Sequence, residues 1–286
     1  MGVLNATPDS FSDGGQLASP ASAVARATDL IQAGADLLDL GGESTRPGAV
    51  PISTDEELSR ILPILKALRE ALPACPISID SYKAEVADAA IERGADIIND
   101  VWGLTHGLST DELATWRDVA ELHTHAGETA GLTSSSMAEV AARRRCPVVI
   151  MHNRRNRNYN RFWEDVLMDL KTSLLIARAA NILDGQIWLD PGFGFAKNIQ
   201  QNLEVLRDLH RVVELGYPVL VGTSRKSTIG AVLGTSVDHR LEGGGATVVW
   251  AIQQGCQMIR VHDVREMARF ARMADAIKAG LDFVTA

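Results

Sequence analysis

The chain has 286 residues, 46% hydrophobic and 22% charged, with a formal net charge of −8 and a mean hydropathy of +0.01. This is the balance of a soluble globular protein, not of a disordered or collagen-like one, and the acidic excess argues against nucleic-acid binding through phosphate neutralisation. The longest uncharged stretches, such as Pro147 to Met151 and Tyr217 to Thr223, fall far short of the roughly 20 apolar residues that span a membrane, so no membrane partner is expected.

The first predicted element is Gly2–Asn5, a short apolar run that passes straight into polar turn residues. No basic segment, apolar stretch and cleavage site form a leader there, so the chain reads as cytoplasmic. Seven further runs follow: Asp36–Leu40, Pro76–Asp80, Asp96–Asn99, Pro147–Met151, Gln186–Asp190, Pro218–Val221 and Met258–Val261. Each leads through Gly, Ser or Pro into a longer amphipathic segment. Eight β-then-α units predict an α/β fold, a single (β/α)8 TIM barrel over residues 1–286. An open doubly wound sheet is the alternative, but no Gly-x-Gly-x-x-Gly follows the first strand.

Local patterns support the barrel. Gly34–Asp39, Gly94–Asn99 and Gly255–Arg260 each place a glycine before a strand and a polar residue at its end, as a helix C-cap turn requires. In the second helix Leu58, Ile61, Leu62, Leu65 and Leu68 fall on one face, with Thr54 and Glu57 expected as a capping box. The connection between strands 4 and 5 is enlarged and predicts helices at Asp111–His123 and Met137–Arg145. Its His123-Thr124-His125 tract reads as polar surface rather than a metal site. Cys75, Cys146 and Cys256 match neither a disulfide framework nor a zinc spacing and read as small buried hydrophobes.

Barrel chemistry gathers at the C-terminal ends of the strands, and here those ends are polar: Asn5, Asp39, Asp80, Asn99, Asp190 and Arg260. Asp and Asn at a strand end also cap the following helix, but six on one mouth need partners of their own. The loops after them, Gly41–Gly48 and Gly222–Ser227, and the Arg260-Val261-His262 end combine exposed backbone N–H groups with Ser, Thr, Arg, Lys and His. That combination suits a phosphate or carboxylate ligand, and neither loop is a Walker A sequence.

These residues resemble the ordered motifs of the dihydropteroate synthase family of pterin-binding barrel enzymes: Asn5–Gly15, Gly41–Gly48, Ser78–Ser81, Ile98–Asp100, Met151-His152, Asp190–Phe195, Ser224–Ser227 and Arg260–Asp263. The match runs from residue 2 to about residue 275. The resemblance implies a folate-pathway transferase that joins 6-hydroxymethyl-7,8-dihydropterin diphosphate to p-aminobenzoate and releases pyrophosphate, with Mg²⁺, as a homodimer. Asp80, Asn99, Asp190 and Lys226 would form the pterin pocket, with Arg260 stacked on the ring and Val101, Met151 and Phe195 lining it. Asn5, Thr45, Arg260 and His262 would hold the diphosphate, Asn5 also meeting the metal. Phe11 and Asp13 from the first loop and Thr45, Arg46 and Pro47 from the second would close the site, and Ser227 would receive the p-aminobenzoate carboxylate.

The chain departs from the family pattern in places. It begins on its first strand without the lead-in that closes the barrel bottom in many members, leaving that end open or otherwise covered. Asn153–Asn158 replaces a Met-containing loop, and Ala6 and Ala196 stand where Val and Gly are usual. The two alanines raise the expectation of a sulfonamide-insensitive variant, which inhibition at the concentrations that stop an ordinary synthase would contradict. Two competing functions are a pterin-binding methyltransferase, which needs no diphosphate clamp, and a pterin-binding homologue without catalysis.

Overall fold

The computed structural model describes residues 1–6, 19–44, 49–122, 129 and 131–280. Each predicted run forms a strand: β1 (Gly2–Asn5), β2 (Leu38–Gly41), β3 (Ile77–Asp80), β4 (Ile97–Asp100), β5 (Val148–Met151), β6 (Ile187–Asp190), β7 (Leu220–Val221) and β8 (Met258–Ile259). The helices are α1 (Pro20–Gln32), α2 (Thr54–Ala71), α3 (Ala84–Glu92), α4 (Thr110–Glu121), α5 (Ser136–Arg144), α6 (Phe162–Ala179), α7 (Ile199–Arg207), α8 (His210–Val213), α9 (Ser227–Leu233), α10 (Leu241–Gln253) and α11 (Val264–Ala279). Among the described residues no helix is long and apolar enough to cross a membrane.

β1 to β6 form one parallel ladder in chain order, and β7 pairs with β8. Isolated parallel bridges at Leu189↔Val219 and Gly2↔Val261 join the two sheets at both seams. There Leu189 N donates to Pro218 O at 2.8 Å and Val3 N to Val261 O at 3.0 Å. The (β/α)8 circuit thus runs from β1 to β8, with ladders inside each sheet and single bridges between them. Gly34, Gly94 and Gly255, the three repeat glycines, share φ values of 108°, 103° and 98°. This is the left-handed backbone that lets a helix turn into the next strand, and side-chain-bearing residues resist it.

The period of two along a strand sorts the side chains. Leu38, Leu40, Ile77 and Ile79 face outward into the cluster beneath α1 and α2, while Ile98, Val148, Ile150, Ile187 and Leu189 do the same beneath α5 and α6. A third cluster gathers Met1, Leu37, Val149 and Leu220 with Ile97, Trp188 and Met258. Its members come from around the ring, so they fill the barrel's interior at its lower end and form an apolar floor. Of the two alternatives for that end, open or otherwise covered, the second is the one found.

Two further expectations are adjusted. Helix α2 is capped by Ser53, whose hydroxyl accepts from Glu56 N at 3.1 Å, one residue earlier than expected. Glu57 instead turns inward, 1% exposed, to an ion pair with Lys83 at 2.6 Å. The enlarged β4–β5 connection holds α4 and α5, close to the expected helices, and α5 ends on Arg145 with left-handed backbone. Trp116 of α4 donates its indole N–H to Thr133 O at 3.0 Å, which ties the segment before α5 back onto α4. His123-Thr124-His125 lies outside the described residues. Cys146 and Cys256 are buried and Cys75 partly so, all three free.

Candidate active site

Two residues beyond the floor the same inward face continues, and on four of the strands the side chains become polar: Asp39 follows Leu37, Asn99 follows Ile97, Asp190 follows Trp188 and Arg260 follows Met258. Val101 and Met151 occupy the same face. The strand sequence therefore builds an apolar plug with a polar mouth.

Arg260 organises this layer. Its Nε donates to Asp39 Oδ2 at 2.6 Å and its Nη2 to Asp80 Oδ2 at 2.6 Å. Asn99 Nδ2 donates to Asp39 Oδ2 at 3.2 Å. Burial acts to lower the pKa of Arg260, but Asp39 and Asp80 outweigh it and keep the guanidinium charged. Burial pushes the Asp80 carboxyl up to about 7 in spite of Arg260, and its buried Oδ1 has no hydrogen-bond partner among the described residues. Asp190, pushed up to about 6 by burial, accepts from Gly192 N at 2.7 Å. Buried acceptors of this kind await donors, which a flat heterocycle with edge N–H groups supplies.

Lys226 comes from the turn before α9, and its ammonium lies 4.2 Å from the centre of the Phe195 ring. Burial, with Arg260 nearby, pulls its pKa down to about 8. Gly194 has a φ of 83°, backbone that favours glycine, and a Cβ there would approach Lys226 Cδ to 2.9 Å and push the lysine aside. Ser227, exposed, is the first residue of α9. His262 follows β8 and meets the Ser224 hydroxyl through Nδ1 at 3.0 Å. Asn5 ends β1 opposite Gly41.

The stem of the second loop is clamped from below. Glu43 Oε2 accepts from Lys83 Nζ at 2.6 Å and from Ile52 N at 3.1 Å, while Glu43 Oε1 accepts from Tyr82 at 2.8 Å. Phe11, Asp13, Thr45, Arg46 and Pro47 lie outside the described residues. The structure brings together Asp80, Asn99, Val101, Met151, Asp190, Phe195, Lys226 and Arg260 around one mouth, with Asn5, Ser227 and His262 at its rim.

Asp39 was legible only as a strand end, yet it is wholly buried at the centre of the layer. Lys197 and Asp169 were not singled out. The Asn153–Asn158 loop turns away from the polar layer: Arg154 pairs with Asp169 at 2.5 Å and lies 4.5 Å from the centre of the Tyr159 ring. Arg154 and Arg155 line a cavity of about 640 Å³ between α4 and α6 that shares Met151 with the mouth. Ala6 is buried and donates to Gly41 O at 2.7 Å. Ala196 has a φ of 46°. A side chain in that region costs on the order of 1 kcal/mol, so Ala196→Gly is expected to raise the thermal midpoint by roughly 2 °C, measured by calorimetry.

A barrel with buried carboxylates, an amide and two cations at its mouth defines an enzyme for a small, flat, hydrogen-bonding substrate. A family model described as pterin binding enzyme matches residues 1–262. The dihydropteroate synthase of Bacillus subtilis is 47% identical over 277 residues, covering 97% of this chain and 87% of that protein. The Clostridium difficile dihydropteroate synthase solved with pteroic acid superposes with a TM-score of 0.85 at 44% identity, covering 97% of this chain and 95% of that one. That of Xanthomonas albilineans with 4-aminobenzoic acid gives 0.84 at 36% identity, covering 98% and 93%. The chain belongs to the pterin-binding enzymes, in the dihydropteroate synthase family. Its function is that family's transferase step of folate biosynthesis.

Proposed function

We propose that the barrel mouth seats 6-hydroxymethyl-7,8-dihydropterin diphosphate and directs p-aminobenzoate onto its methylene carbon. The observation that carries this reading is the set of buried Asp80, Asn99 and Asp190 with half-buried Lys226 and Arg260, in which Asp80 Oδ1 has no hydrogen-bond partner among the described residues. Asp190 and Asp80 accept from the pterin's ring N–H and amino groups, Asn99 supplies an amide, and Lys226 donates to the ring oxygen. Arg260, fixed in orientation by its two carboxylates, presents the face of its guanidinium to the ring, while Val101, Met151 and Phe195 enclose it.

As the C–O bond to the diphosphate breaks, positive charge grows on the methylene carbon and negative charge on the leaving oxygens. Asn5, Thr45, Arg260 and His262 take the diphosphate. The amine of p-aminobenzoate attacks the carbon and loses its proton, with Ser227 receiving the carboxylate. Phe11, Asp13, Arg46 and Pro47 exclude water that would otherwise capture the cation. The methyltransferase alternative has no use for the Asn5 and His262 rim.

The donor set suits a Mg²⁺ ion carried by the diphosphate. Among the described residues no group of three His, Cys, Asp or Glu side chains stands ready for a metal, while Asn5 offers one amide oxygen at the rim. Mg²⁺ takes one or two protein oxygens and completes its shell with phosphate and water. When bound it neutralises charge on the leaving group. Chelation with EDTA is expected to reduce pyrophosphate release to background, with recovery on adding Mg²⁺; release indifferent to EDTA contradicts this part of the reading.

Because the Lys226 pKa is drawn down to about 8, its ammonium is present below that pH and lost as pH rises through it. kcat/KM for the pterin substrate is therefore expected to fall tenfold per unit above about pH 8, and the fall to move to higher pH in Lys226→Arg. A flat profile to pH 10 contradicts the assignment.

A homodimer goes with this reading, supported by exposed Val232, Leu233, Trp250, Met273 and Ile277 on α9, α10 and α11. Val248, Ile252 and Met267 are core and take no part. Three free thiols suit a reducing, cytoplasmic compartment.

A further inference from the structure

The loop from Asp190 to Lys197 runs through left-handed backbone three times, at Gly192 (φ 68°), Gly194 (φ 83°) and Ala196 (φ 46°). The two glycines take this backbone freely, but at Ala196 it persists only where the surroundings over-determine it. Lys197, 3% exposed, supplies two of the ties: its Nζ donates to Gly192 O at 3.1 Å and to Phe195 O at 3.2 Å. Its third bond goes to His152 Nδ1 at 2.8 Å. Tyr159 donates its hydroxyl to Ala196 O at 3.0 Å, and Gly194 N donates to Asn202 Oδ1 at 2.6 Å. A Cβ on Gly192 would stand 1.9 Å from His152 O, so the loop is pressed directly onto the end of β5.

His152 is held in turn. Its Nε2 donates to Asp169 Oδ2 at 3.1 Å, and with Lys197 on Nδ1 these partners assign the neutral Nε2–H tautomer. Burial, then Lys197, pulls the ring's pKa down to about 4, in keeping with a neutral imidazole. Asp169 also receives Arg154 at 2.5 Å and Arg117 at 3.0 Å. A chain of hydrogen bonds, partly exposed at Arg117 and buried at His152 and Lys197, thus runs from α4 of the enlarged connection, through α6 and the end of β5, into the loop that carries Asp190 and Phe195.

We propose that Lys197 is a positioning residue for the pterin subsite, holding the strained loop so that Phe195 stays beneath Lys226 and Gly192 stays on Asp190. Arg117, Arg154, Asp169 and His152 form the anchor against which it pulls. This deepens the pterin reading of the mouth and rests on it. A lysine that merely filled a hole would affect both substrates and the fold alike. A lysine that places this loop affects the pterin alone, and its loss is offset by anything that removes the loop's strain.

The test compares wild type, Lys197→Met, Ala196→Gly and the double variant, reading 6-hydroxymethylpterin affinity by fluorescence together with KM for both substrates. Lys197→Met is expected to weaken pterin binding about tenfold while KM for p-aminobenzoate stays within about twofold, and Ala196→Gly to recover at least about threefold of the loss. Unchanged pterin affinity, an equal loss for both substrates or the absence of any recovery overturns the proposal. If Lys197→Met does not fold, Tyr159→Phe decides: a loss of about threefold confined to the pterin supports the proposal, and unaltered binding overturns it. Wild type that fails to bind the pterin contradicts the reading of the mouth, whereas wild type and Lys197→Met binding equally well contradict only the positioning role.

Discussion

Lys226→Ala is expected to lower pyrophosphate release by about 10²- to 10³-fold, because the variant loses a fixed cation in a water-poor site where charge develops. The lysine is held over Phe195 and faces Asp190 and Asp80 from across the mouth. No surface lysine would have its pKa drawn down by burial in this way, and the cost of burying the ammonium is met when a polarised substrate oxygen accepts from it. Removing it relieves that cost in the free protein, so the thermal midpoint of Lys226→Ala is expected to hold or rise. A variant that loses activity together with stability would point to a structural role instead.

Arg260→Met is expected to destabilise the fold by about 3–5 kcal/mol near pH 8, since it leaves Asp39 and Asp80 buried without their counter-charge. The pair separations are 2.6 Å, Asp39 is completely buried and Asp80 is 6% exposed, so the carboxylates themselves have little access to water once the guanidinium is gone. The sign of the pH dependence follows from the carboxylates. In the variant Asp80, already pushed up to about 7, loses the guanidinium that lowers it, so its folded-state pKa lies further above the unfolded value, the native state binds more protons and stability falls as pH rises through that window. Urea unfolding at pH 5.5 and pH 8 is expected to show the smaller loss at the lower pH, and Asp80→Asn in the same background to restore part of it. An equal loss at both pH values contradicts the ion-pair account.

The strands were legible because period, apolar runs and repeat glycines are local signals, and so was the polar mouth, because its residues end those runs. The details that failed are non-local. Asp39 and Arg260 lie 221 positions apart, and nothing in either neighbourhood announces the pair. Lys197 meets a histidine 45 positions away, although it directly follows the glycine-rich motif that signalled the loop. Thr54 looked like a cap because Ser53 and Thr54 both fit the pattern, and Glu57 was claimed by Lys83 across a helix boundary. The apolar floor was missed because Met1 and Trp188 gain their meaning only when the ring closes around them.

The central claim is that this mouth transfers the dihydropterin, through its methylene carbon, from diphosphate to an arylamine, and the most direct measurement follows both products at once. Protein, 6-hydroxymethyl-7,8-dihydropterin diphosphate and Mg²⁺ are incubated with and without p-aminobenzoate, and pyrophosphate and 7,8-dihydropteroate are quantified. The account predicts equimolar products that require p-aminobenzoate and vanish in Lys226→Ala. Pterin binding without release of pyrophosphate, or release without dihydropteroate, would contradict it.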